Sequence, residues 1–158
     1  MNSLLYSKKF TCLLLAFALL LLNSCNSTPI ATDQGIPWEL AQHRSETISN
    51  LRYHFALDIP RSRTEAITGK SRIRLNWNDR STQPLVIDFL LPQQRIHAVL
   101  VNGVETNWQP VNDHIVIPAS ALQVGENSVD LTFNVGDEAF NRREDFLYAL
   151  FVPDRAHF

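Results

Sequence analysis

From Thr47 onward the apolar residues of this chain recur at every second position. Leu51, Tyr53, Phe55, Leu57 and Ile59 alternate with Arg52, His54, Ala56 and Asp58. Ile73, Leu75 and Trp77 alternate with Arg72, Arg74, Asn76 and Asn78, and Val129, Leu131, Phe133 and Val135 with Asp130, Thr132 and Asn134. Successive side chains of a strand point to opposite faces, so this pattern predicts strands with one buried and one wet face. Leu85 to Leu91 is a more continuous apolar run, which predicts a strand deeper in a sheet.

The punctuation agrees. Asn102-Gly103 separates two apolar stretches, His97–Val101 and Val104–Trp108. Asn-Gly between such stretches predicts a tight hairpin, because both residues tolerate the positive φ that its turn demands. Asn112-Asp113 marks a second turn before His114–Ile117, and Pro118 to Gln123 reads as a single helical turn. Trp38 to Glu46 has weak helical character and reads as an N-terminal arm. Strands recurring at roughly 8–12 residues, with no long helix in the body, predict an all-β fold: an antiparallel sandwich or barrel spanning residues 47–158.

The first 24 residues read as a leader. Lys8 and Lys9 precede an almost wholly apolar run, Phe10 to Leu22. As a helix it would reach about 20 Å, short of a hydrocarbon core of roughly 30 Å. A secretory signal fits better than a permanent span. Leu22-Asn23-Ser24-Cys25 then resembles the bacterial lipobox, which implies cleavage before Cys25 and its acylation. Cys12 would leave with the leader, so the mature chain would hold no disulfide. Two or three acyl chains anchor firmly, which puts the protein on a membrane of the bacterial cell envelope. Residues 25–46 then comprise the lipidated cysteine, a polar Pro- and Gly-punctuated tether and the arm.

Little in the body carries chemistry. His43, His54, His97, His114 and His157 show no zinc-ligand spacing, and each reads as a surface or strand-edge residue. There is no Gly-x-Ser-x-Gly and no phosphate-cradling glycine loop. Asp137-Glu138 and Glu144-Asp145 read as solvated loop charges. The chain is mildly acidic, with a formal net charge of −2 that becomes more negative once Lys8 and Lys9 are removed. Its arginines are scattered, so a nucleic-acid partner is not expected.

One family likeness remains. Ser49–Pro60, Ile67–Leu75, Leu85-Val-Ile-Asp-Phe89, Val101-Asn-Gly103, His114-Ile-Val-Ile-Pro118, Gly125-Glu-Asn-Ser-Val129 and Asn141–Ala156 follow one another in order. Together they resemble the first strands of the aminopeptidase N family of zinc metallopeptidases. The most specific piece is Phe-Leu-Tyr-Ala-Leu-Phe-Val-Pro-Asp-Arg-Ala. The resemblance implies a saddle-shaped β-sandwich that packs on a thermolysin-like catalytic domain and helps wall its peptide cleft.

The departures from the family are as informative. The family's Phe-Pro-Cys-Phe-Asp-x-Pro segment, its Gly-Ala-Met-Glu-Asn motif and its His-Glu-x-x-His with a downstream Glu do not occur in this sequence. The zinc of the full-length family, its ligands and the general base would belong to a catalytic part outside this chain. No catalytic or metal-ligating residue is therefore assigned, and no hydrolysis by this chain alone is expected. The family position that often holds Glu or Gln against the substrate amino group is Val152 here, which cannot accept a hydrogen bond, so no substrate-binding residue is assigned either. The expected role is that of a non-catalytic N-terminal domain, truncated or split from its enzyme. The alternative is a free-standing β-sandwich accessory lipoprotein.

Overall fold

The computed structural model describes residues 30–78, 83–137 and 140–149. One helix, α1 (Trp38–Thr47), precedes ten strands. These are β1 (Ile48–Asp58), β2 (Ile67–Trp77), β3 (Leu85–Asp88), β4 (Ile96–Val101), β5 (Val104–Glu105), β6 (Gln109–Val111), β7 (His114–Ile117), β8 (Gly125–Val135), β9 (Phe140–Arg142) and β10 (Leu147–Ala149). Five of them form one sheet in the order β1-β2-β8-β4-β5, and three form a second in the order β3-β7-β6. β9 and β10 pair separately. Every pairing is antiparallel.

The core lies between the two larger sheets. β2 contributes Ile73, Leu75 and Trp77, β8 contributes Val129, Leu131 and Phe133, and β4 contributes Val99 and Val101. Across from them stand Leu85 of β3 and Ile115 and Ile117 of β7. This is the all-β sandwich that the alternation predicts. Burying one such side chain contributes about 1.5–3 kcal/mol, so the alternating residues of β2 and β8 fix the register across the middle of the large sheet.

The hairpin at Asn102-Gly103 forms with φ of 52° and 81°. Asn102 is held further. Its amide donates to Asn127 Oδ1 at 3.0 Å, and its own Oδ1 accepts from the Ser128 backbone N–H at 2.9 Å. Asn127 is buried and closes the turn before β8, donating to the carbonyls of Gln123 and Gly125. After the turn only the start of the Val104–Trp108 stretch is strand. Pairing with β4 stops at Glu105, and the chain crosses to the second sheet at Gln109. Trp108 packs against the core on the way. Pro118 leads into a single 3-10 turn at Ala119–Ala121, and α1 confirms the weak helical signal of the arm.

Two expectations are overturned. The row on β1 does not enter the core: Leu51, Tyr53, Phe55 and Leu57 are 42%, 44%, 60% and 43% exposed. β1 is an edge strand, and the three-stranded sheet is too narrow to reach over it. Likewise Leu85–Leu91 is not a central strand. Only Leu85–Asp88 is extended in a ladder, and β3 is an edge of the smaller sheet. Leu85 and Val86 are nonetheless buried, one against the opposing sheet and one on the other side of the strand, which is why that run is apolar without alternation.

Candidate functional site

Because β1 extends past the small sheet, a groove of about 550 Å³ opens between them. Its outer wall is the β1 row, where the rings of Tyr53 and Phe55 stack with centroids 5.8 Å apart and planes 3° from parallel. Ile73, Leu131 and Phe133 line its depth, and Ile87 and Phe89 its other side. Phe89 meets Phe133 edge to face at 5.5 Å. Burial, the largest influence, pushes the Tyr53 phenol above its ordinary pKa; the Arg44 charge opposes this and the Asp88 charge adds to it.

Arg44 and Asp88 close one end of the groove. The α1 residue Arg44 donates from both terminal nitrogens to Asp88, at 2.5 and 3.0 Å, and also to the Val86 carbonyl at 2.9 Å. Such a two-point guanidinium–carboxylate pair fixes orientation as well as distance. Asp88 also meets His114 Nδ1 at 3.0 Å, and His114 Nε2 lies 3.0 Å from the Asp33 carbonyl oxygen. His114 is 3% exposed, which corrects its reading as a surface or strand-edge residue. It is a buried tie between the segment before α1, β7 and β3.

The remaining histidines are placed simply. His43 packs edge-on against Trp77, with centroids 6.0 Å apart. His54 and His97 are exposed, as expected, and His54 pairs across the strands with Arg72. Among the described residues no three His, Cys, Asp or Glu side chains come together in a way that could hold a metal ion. The described residues thus offer no ligand set for the zinc that the resemblance implies for a longer protein. Among them too, no helix is long and apolar enough to cross a membrane. Cys25, Val152, His157, Glu138 and the leader lie outside the described residues.

One charged residue to which the sequence reading gave no role is buried. Arg142, on β9, is 4% exposed. It donates to both oxygens of Asp137 at 2.7 and 2.8 Å and to the carbonyls of Pro60, Ser62 and Glu65. The three carbonyls belong to the β1–β2 connection, so Arg142 clamps the β9–β10 pair against that turn. The Arg142 hydrogen bonds hold the Asp137 carboxyl below its ordinary range; desolvation works against this, and the charges of Arg142 and Arg63 add to it. Little local to Arg142 gave a sign of this role; the pair Arg142-Arg143 beside Glu144-Asp145 was the signal available.

The lining of the groove is mostly apolar, with Arg44 and Asp88 as its charged side chains. Neither a family model nor a curated protein matches the sequence. Among solved structures the chain is similar to yeast LTA4 hydrolase, at 16% identity with a TM-score of 0.48. The likeness covers 66% of this chain and 19% of that one.

Proposed function

We propose that this chain is the N-terminal, non-catalytic β-sandwich of an aminopeptidase-N-like zinc metallopeptidase, tethered to a membrane through acylated Cys25. The observation that carries this reading is the ordered set of family-like segments from Thr47 to Ala156. Several of their residues stand where an antiparallel sandwich needs those residue types. Asn102-Gly103 makes the hairpin, Gly125 opens β8 at φ 99°, and Arg142 clamps the β1–β2 turn.

In such a protein the role is mechanical. The sandwich walls one side of the peptide cleft and offers a surface on which the zinc domain is positioned. The open groove beside β1 is apolar with one charged end, which suits coverage by another part of the protein. Peptides and zinc would meet the catalytic domain, and the membrane would meet the lipidated end.

The coding DNA beyond the Phe158 codon tests the proposal. A continuing, shifted or interrupted frame that encodes Phe-Pro-Cys-Phe-Asp and then His-Glu-x-x-His supports it. Co-expression of that region with this chain should then give chelator-sensitive release of amino-terminal residues, which the chain alone should not. A stop with no such remnant downstream overturns the reading in favour of a free-standing accessory lipoprotein.

A further inference from the structure

Among the described residues the two larger sheets have four edge strands, and three of these are blunted. β5 has two residues, β6 has three and includes Pro110, and β3 has four. Short edges and proline are the usual protections against unwanted strand pairing. β1 is different. It runs for eleven residues, and Leu51 to Asp58 contain no proline, glycine or lysine. Its only irregularity is a register shift between Ser49 and Arg52, at its start. Among the described residues it pairs with β2 alone.

The side chains of β1 are also arranged for a particular register. Its inner face carries Leu51, Tyr53, Phe55 and Leu57, all exposed. Its outer face carries Arg52, His54, Ala56 and Asp58, in line with Arg74, Arg72, Lys70 and Thr68 of β2. Arg52 thus stands directly across from Arg74, a like-charge pair that destabilises a ladder. Arg72 has its counter-charge in Asp130, 2.6 Å away. Among the described ion pairs Arg52 has none.

We propose that β1 is a self-pairing edge: two copies of the chain join β1 to β1, antiparallel, about a two-fold axis through Phe55. In that register Arg52 faces Asp58 of the second copy, and Asp58 faces its Arg52. Tyr53 faces Leu57, and Phe55 faces its own equivalent. A one-residue displacement of the axis loses both Arg–Asp pairs, since it sets Arg52 against Ala56 or against Pro60. The pairing makes one continuous ten-stranded sheet, gives Arg52 the acid it lacks, and doubles the apolar row along the groove. An interface of this isologous kind closes on itself as a dimer. This inference stands apart from the proposed enzyme, because it rests on the edge and its charges alone.

The experiment uses the full chain in mild detergent, with two single-cysteine substitutions. Residues facing across an antiparallel pair have Cα atoms about 4.5–5.5 Å apart, within disulfide reach. The Phe55→Cys chain should therefore form an oxidised dimer. The Leu51→Cys chain should form none above the unsubstituted chain, because its two cysteines would lie about 27 Å apart. Arg52→Asp sets acid against acid at two symmetric positions and should weaken association roughly tenfold by sedimentation. Arg52→Asp with Asp58→Arg reverses both charges and should restore it. A chain that sediments as a monomer at about 0.1 mM overturns the proposal, whether the edge is then free or covered by another segment of the same chain. Equal crosslinking of both cysteine variants, or a double reversal that fails to restore what the single one loses, overturns the register.

Discussion

Phe133 stands directly across from Gly69 in the β2–β8 ladder, with its ring against the glycine. A Cβ built on Gly69 would sit 2.6 Å from Cε2 of that ring and 2.7 Å from Cζ. Phe89 meets the same ring edge to face, which limits how far it can shift. Gly69→Ala should destabilise the fold by about 1–3 kcal/mol, the usual range for overpacking. Combining it with Phe133→Leu should lose less than the two changes summed, since residues in contact are not additive. Urea unfolding of the two single variants and the double reads this directly.

The Asn102-Gly103 turn supports a separate expectation. Gly103 has φ of 81° with open space where a Cβ would stand, so only backbone conformation opposes a side chain there. Gly103→Val should cost about 1–3 kcal/mol, the range for a residue forced into a sparsely populated region. Gly103→Asn should cost less, because asparagine tolerates that region. Equal melting temperatures for the Val and Asn variants would rule out backbone strain as the cause.

Arg142 links acid stability to the β1–β2 turn. Its partner Asp137 titrates below its ordinary value in the folded chain. A carboxyl with a depressed folded pKa adds stability above its unfolded pKa and loses it as pH falls through the folded one. The melting-temperature gap between the natural chain and its Asp137→Asn variant should be full near neutral pH and shrink below about pH 4. Arg142→Met should lower stability at every pH, since three backbone carbonyls lose their donor. A gap that stays constant from pH 7 to pH 3 would show that Asp137 does not carry this linkage.

The proposed lipid anchor is tested by labelling. Cells fed a radiolabelled fatty acid should mark the natural chain at Cys25, and Cys25→Ser should remove the label and the membrane retention together. Equal labelling of both chains would assign the acyl group elsewhere.

β2, β8 and the Asn-Gly hairpin were legible in the sequence because local pattern and tertiary environment agree there. Ile73, Leu75, Val129 and Leu131 alternate, and they are buried. β1 shows the limit of such reasoning. Its alternation is as regular, but whether an apolar row is covered depends on how wide the opposing sheet is, and no residue of β1 encodes that. The groove arises from this mismatch between two sheets. The same holds for His114 and Arg142: their partners are Asp33, Asp88, Pro60, Ser62 and Glu65, most of them far away in sequence. Turn chemistry is local and was readable; polar ties between distant segments were not.

Asp88 is the residue on which three segments of the site converge, and its loss has a distinct signature. It accepts from Arg44 of α1 and meets His114 of β7, which in turn reaches Asp33 in the segment before α1. Asp88→Ala removes the acceptor from a guanidinium and from a buried imidazole at once. An unpaired buried polar group costs about 1–3 kcal/mol, so the melting temperature should fall. The damage should be local to the N-terminal side, because the sandwich core between β2, β8 and β7 does not include Asp88. Limited trypsin digestion should then cut at Arg44 well before the arginines of β2. Asp88→Asn keeps an oxygen acceptor in the same place and should recover part of the protection. If the Ala variant is cut no faster at Arg44 than the natural chain, helix α1 is held by the packing of Leu40 and Thr47 instead, and the Arg44–Asp88–His114 tie adds nothing to it.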